Sequence, residues 1–129
     1  MSLFVCKWKK EFGCEVKERI RREICEGFGM LNGIDPKYFA VLFDDYPEGD
    51  FPDQGIGVFV IVYQSEGKTD AYKDDEVRII TDAFCRHTGW GSDRVSIQIV
   101  DVCRGSIGFK GVIVNRDGTG ADAVKKGEI

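Results

Sequence analysis

Apolar and polar residues alternate loosely from Leu3 to Lys9, ahead of Gly13. This period of two predicts a first strand. The period then changes. Val16, Ile20, Ile24, Phe28 and Leu31 follow at steps of four, four, four and three, which places them on one face of a helix over 15–31. Glu15 and Glu18 lead that helix, Arg19, Arg21 and Arg22 follow, and Gly27, Gly29 and Gly33 are expected to fray its end. Asp35-Pro36 marks a turn. The mostly apolar run Tyr38 to Phe43 predicts a strand buried on both faces. An acidic loop from Asp44 to Asp53, carrying Pro47 and Pro52, separates it from a similar run, Val58 to Tyr63. Thr69 is a candidate N-cap, with Asp70 in the first turn of a second helix. The core face expected for that helix is Tyr72, Val77, Ile80, Ala83 and Phe84, and its end is Gly89. Arg94 to Val102 predicts a fourth strand. Gly105, Gly108 and Gly111 precede the short apolar run Val112–Val114, and from Asn115 the chain turns polar.

Strand, helix, strand, loop therefore occurs twice. Gly13 and Gly67 are 54 residues apart, while Asp45 and Asp101, like Gly49 and Gly105, are 56 apart. A two-residue indel in the helix or its exit turn reconciles these offsets. Each half reads as a βαβ unit with a parallel strand pair. The expected fold class is α/β (α+β): two tandem βαβ units forming a four-stranded sheet with two helices on one face. The expected domain spans 1–114, with repeat one at about 3–55, repeat two at about 57–114, and a tail over 115–129. No third helix is available for the other sheet face, so self-association is expected to cover it.

Composition narrows the function classes. The 129 residues fit one ordinary domain, and glycine is the outlier at 16. The net charge of −4 is spread over two halves of which neither is basic, so no nucleic-acid partner is expected. No apolar run approaches the roughly 18–20 residues of a membrane span, so no membrane partner is expected either. The first ten residues place their charges after the apolar ones, the reverse of a secretory signal. Cys6, Cys14, Cys25, Cys85 and Cys103 are odd in number and form no C-x-x-C, which fits reduced thiols in a cytoplasmic protein. A lone histidine, His87, supplies no zinc site and reads as a helix-end or surface residue. The acidic loop lacks calcium-loop spacing, and no helix follows the Gly105-Gly108-Gly111 run to make a phosphate loop. No metal and no cofactor is expected.

The second half reads Ser65-Glu66-Gly67-Lys68-Thr69-Asp70, a helix, Val95-Ser96-Ile97-Gln98-Ile99-Val100-Asp101-Val102, and then the glycine-bearing segment to Gly111. This resembles the tautomerase superfamily, whose repeat runs strand, G-[RK]-[ST], helix, V-x-V-x-I-x-E-V and a glycine-bearing hairpin. The first half is similar through Gly13, its helix and Tyr38 to Phe51. Length and fused halves resemble the macrophage migration inhibitory factor and malonate semialdehyde decarboxylase branches more than the short 4-oxalocrotonate tautomerases. The resemblance covers about residues 3–114. It implies a homotrimer with sheets facing inward, and proton shuttling next to a carbonyl of a small carboxylate substrate.

The family's catalytic group is an N-terminal proline on the end of strand one, whose amine accepts a proton when its pKa is depressed. Here the prolines are Pro36, Pro47 and Pro52, all in turns, and alignment on Gly13 puts Phe4 in the family's proline position. Ser2 offers a primary α-amine if Met1 is removed, or is a strand end without catalysis. The resemblance places the family's Gly-Arg position at Lys68 and, in the first half, at Cys14. Lys68 is either a carboxylate anchor or a solvated loop lysine. Cys14 is either a reactive thiol at a helix N-terminus or a half-buried one. Phe51 reads as a pocket wall or a trimer contact, and Tyr46 and Arg104 as lining a cleft between subunits or as surface. Lys37, another substrate-binding candidate, stands near the decarboxylase branch's acid, and its charge speaks against decarboxylation. The expectation is a keto-enol isomerase or lyase on a small keto-acid using the N-terminal amine. The alternative is an inactive tautomerase-fold binding or signalling module.

Overall fold

The first strand, β1 (Leu3–Lys9), turns Phe4, Cys6 and Trp8 to one side, where all three are fully buried. Opposite them in the core lie Ile20, Ile24 and Phe28 of helix α1 (Cys14–Asn32). The computed structural model describes residues 2–114, and the expected tail over 115–129 lies outside the described residues. A short 3-10 turn at Pro36–Tyr38, pinned by the Asp35 side chain accepting from the Lys37 N–H, leads into β2 (Ala40–Tyr46). Then follow β3 (Val58–Ser65), α2 (Asp70–Thr88), a 3-10 turn at Ser92–Arg94 and β4 (Val95–Val102). A small antiparallel hairpin, β5 (Ile107–Phe109) and β6 (Val112–Val114), completes the described chain.

The sheet order is β2-β1-β3-β4. β1 and β2 run parallel, as do β3 and β4, while β1 and β3 meet antiparallel. The two helices pack on each other and share the same sheet face. This is the tandem βαβ arrangement that the repeat implies.

Element boundaries replace the expected indel with a single offset. α1 begins at Cys14 and α2 at Asp70, and their left-handed glycine caps are Gly33 and Gly89, so both pairs lie 56 residues apart. The partner of Gly13 is thus Thr69, the other N-cap, and not Gly67. The chemistry repeats as well. Lys17 pairs with Asp45, and Lys73 pairs with Asp101 at 3.3 Å, each tying a helix start to a strand end.

Three expectations change. Gly27 and Gly29 do not fray α1, which runs through both. A Cβ at Gly27 would stand 2.7 Å from Ile79 Cγ2, so the missing side chain is what lets the two helices close. Asp44, Asp45 and Tyr46 belong to β2 and not to the acidic loop. And β2 is not buried on both faces: Val41 is buried, but Leu42 is 51% exposed. The outward row Leu42, Val5, Ile61 and Gln98 crosses the whole sheet, with Leu3, Tyr63 and Val100 beside it. Apolar residues on this face explain why the run looked buried twice over.

Replacing Gly27 by valine should force α1 and α2 apart. Urea unfolding should show a loss of about 1–3 kcal/mol, the usual range for overpacking. An unchanged midpoint would mean that Gly27 is not held at that contact.

Candidate active site

β1 and β3 are antiparallel, so the start of β1 lies beside the end of β3. One step past the last ladder pair, Leu3 with Tyr63, Ser2 stands opposite Gln64, and Gln64 is paired in turn with Asp101 of β4. Ser2 is 8% exposed, and its carbonyl accepts from the Ala40 N–H at 3.4 Å. Lys68 follows β3 immediately, with its ammonium 4.8 Å from the centre of the Tyr72 ring. Arg104 follows β4. Its N–H donates to Glu66 Oε1 at 3.1 Å, and its guanidinium lies over Gly67. Lys37 sits in the turn that enters β2, parallel to β1, and so belongs to this end too. From the β4 edge the chain crosses to the other side of the sheet, where Val114 packs with Ile34 and Tyr38.

Ser2, Lys68, Arg104 and Lys37 are therefore gathered at one end of the sheet. Tyr46 and Phe51 are not. They lie at the opposite end, where β1 and β2 finish, with ring centres 6.1 Å apart. Phe51 also meets Phe59, at 5.6 Å, and lines a cavity of about 510 Å³. Cys14 is exposed at the start of α1. All five thiols are free, and burial pushes that of Cys6 up to about 12. His87 bridges the helices through Nε2 to Glu23 Oε1, at 3.0 Å. Among the described residues no group of three or more metal-ligating side chains occurs, and no helix is long and apolar enough to cross a membrane.

Two residues at the first end escape the sequence reading. Gln64 and Glu76 are 1% and 0% exposed, face each other, and have no other hydrogen-bond partner for their side chains. The repeat shows how unusual they are. At the 56-residue offset Gln64 matches Trp8, Lys68 matches Phe12 and Glu76 matches Ile20, so three apolar places of the first half are polar in the second. Polar residues at core positions without partners are destabilising, and proteins tolerate them chiefly at functional sites. Comparing the halves at the 56-residue offset would have exposed them. Periodicity alone hides Glu76, because Asp74-Asp75-Glu76 looks like a solvated face.

The electrostatics follow from this burial. Burial pushes the Glu76 carboxyl up to about 7. The Gln64 amide, Lys68 and Lys73 oppose that shift, and Asp101 adds to it. Tyr72 is pushed up to about 12, mainly by burial, while its hydroxyl donates to Asn32 Oδ1 at 2.9 Å. A neutral carboxylic acid has one donor and one acceptor, and so has the amide edge facing it. The protonated form of Glu76 can therefore both donate to and accept from Gln64, while the carboxylate only accepts from its N–H, the contact that opposes the shift.

A raised carboxyl pKa means that the folded state holds the proton more tightly. The stability linked to it is complete below the ordinary value of 4.5 and is lost as pH rises towards 7. Glu76→Gln should therefore match the parent near pH 4 and exceed it at pH 8, by up to about 3 kcal/mol in urea unfolding. A difference that does not change with pH would refute the buried acid.

No family model matches the sequence, and no curated protein matches it. Solved structures do match in fold. Pt0534 inactivated by 2-oxo-3-pentynoate has a TM-score of 0.80 at 16% identity, covering 89% of this chain and 97% of that one. The F6 fused 4-OT, an asymmetric trimer, has a TM-score of 0.79 at 14% identity, covering 90% and 98%. N1, a member of the cis-3-chloroacrylic acid dehalogenase family, has a TM-score of 0.75 at 13% identity, covering 91% and 86%. The four-stranded sheet with two helices agrees with the fold of these neighbours. The chain has the tautomerase-superfamily fold in its fused, two-repeat form.

Proposed function

We propose that this protein is a keto-enol isomerase or lyase for a small keto-acid, working at the end of the sheet where β1 begins. The observation that carries the reading is the replacement of Trp8, Phe12 and Ile20 by Gln64, Lys68 and Glu76 at that end. Lys68 meets no carboxylate within ion-pair distance among the described residues, so its charge is free for a substrate carboxylate. Arg104 beside it supplies a second cation. With Met1 removed, Ser2 supplies a primary amine, whose ordinary pKa of about 7.7–8 suits proton transfer near neutral pH. The inactivation of Pt0534 by a 2-oxo acid supports the same substrate class.

The apolar outer face supports a homotrimer, and the F6 and R7 fused 4-OT neighbours are trimers. A second reading rests on Ser2 itself. It is nearly buried, tied to Ala40 and not a proline, which suits a binding module that keeps the scaffold without the chemistry.

Phenylenolpyruvate ketonisation separates the two. Mass spectrometry should first establish that Ser2 is residue one. The enzyme reading expects turnover above buffer, a loss of 10-fold or more in kcat/KM for Lys68→Ala, carried mainly by KM, and abolition when the α-amine is blocked. No turnover leaves the binding module, and turnover indifferent to blocking overturns the amine mechanism. Sedimentation should give a trimer for the parent and a smaller species for Leu42→Glu, which puts a charge on the shared face. A monomeric parent would sink the assembly.

A further inference from the structure

The far end of the sheet carries its own cavity. It lies where β1 ends and β3 begins, with a volume of about 510 Å³, within the roughly 300–1,000 Å³ usual for small-molecule sites. Phe51, Pro52 and Ile56 give it apolar walls, and Arg94 reaches into its lining.

Arg94 is the informative residue. Its guanidinium carbon is 4.8 Å from the centre of the Trp90 ring, and its Nε is buried without a hydrogen-bond partner. No carboxylate lies within ion-pair distance of it among the described residues. The residue as a whole is half-buried, so its charge is partly withdrawn from water and has no counter-charge. Its platform is rigid. The Trp90 ring stacks on Phe84 with an interplanar angle of 5°, and meets Phe12 at 5.5 Å and Trp8 at 6.2 Å. Gly57 closes the other side: a Cβ there would stand 2.6 Å from the indole, and the Gly57 N–H donates to the Arg94 carbonyl at 2.7 Å. Backbone and side chain of Arg94 are thus both held before any ligand arrives.

We propose that this cavity is a second ligand site, separate from the one where β1 begins, and that it takes a small monocarboxylate with an apolar body. Arg94 presents a planar fork of donors that matches a carboxylate. The other charges set the ligand's valence. Lys9 is engaged by Glu48 at 3.7 Å, and Glu11 and Asp53 also line the cavity, so a second negative charge on the ligand meets repulsion. The site is not a copy of the first end. At the 56-residue offset Arg94 matches Tyr38 and Trp90 matches Ile34, so the cation and its platform belong to the second half alone.

The test uses the full chain labelled with ¹⁵N and follows the two tryptophan indole signals. Phenylacetate is the probe and phenylacetamide its uncharged control. Saturable movement of the Trp90 signal by phenylacetate is expected, with binding at least 10-fold weaker for phenylacetamide. Arg94→Gln should weaken phenylacetate binding by 10-fold or more, and Arg94→Lys by less. The Trp8 indole, donating to Asp45 Oδ1 at 2.8 Å, should stay in place and report that the variant is folded. The comparison of acid with amide needs no variant, so it stands even if Arg94→Gln fails to fold. Equal binding of acid and amide would overturn the proposal. So would phenylacetate binding that is lost in Lys68→Ala, which would put the acid at the other end. This test does not depend on the keto-enol assay, so either site can fail alone.

Discussion

The buried indole of Trp8 constrains the rest of the molecule. It is large, fully buried and carries one N–H that must find an acceptor. Asp45 supplies it at 2.8 Å and stands directly across the β1–β2 ladder from Trp8. That carboxylate also accepts from Lys17. Burial works against the Asp45 charge, but the bonds from Lys17 and Trp8 outweigh it and hold its pKa below the ordinary value. One interaction thus fixes the register of β2 on β1 and the position of α1 over both. The ring itself touches Phe12, Phe43, Phe84 and Trp90, which spreads the constraint from the first half into the second.

The second half repeats the clamp without the aromatic centre. Lys73 and Asp101 stand where Lys17 and Asp45 do, but the place of Trp8 is taken by Gln64. A backbone plan repeated this closely leaves side chains as the place where the halves diverge. The first half fills its core with Trp8, Phe12 and Ile20. The second half puts an amide, an ammonium and a carboxyl at those points, and two of them are buried with no partner but each other. The aromatic half provides the rigidity that allows the polar half to keep unsatisfied groups.

Much of this was legible. Periods of two and near four located β1 and both helices, and the doubled order of elements implied the sheet. What escaped was set by contacts between distant segments. Gly27 looks like a helix breaker until Ile79 is placed against it. Leu42 looks like core because its face is apolar, although within one chain it is half exposed. Val77 is expected on the core face of α2, a face that does not include Glu76. The structure reverses them, because a helical face is chosen by what packs on it, and one residue turns it by about 100°. The candidate site residues were legible singly but not as a set. Their division between two ends follows from the antiparallel meeting of β1 and β3, which no local pattern encodes.

That division has a chemical consequence. At each end a cation lies 4.8 Å from the centre of an aromatic ring, Lys68 over Tyr72 and Arg94 over Trp90. A ring face stabilises a cation without neutralising it, so the charge stays available for an anion. The surroundings then differentiate the ends. Beside Lys68 lies Glu76, whose carboxyl, pushed up to about 7 by burial, can hold or release a proton near neutral pH. Behind Arg94 the Trp90 ring packs on Phe12, Phe84 and Trp8, and the carboxylates that share its cavity are Glu11, Glu48 and Asp53. The proposed function therefore assigns proton transfer to the end where β1 begins. At the far end Arg94 rests on a rigid aromatic platform, so the two repeats present cations in different surroundings at opposite ends of one sheet.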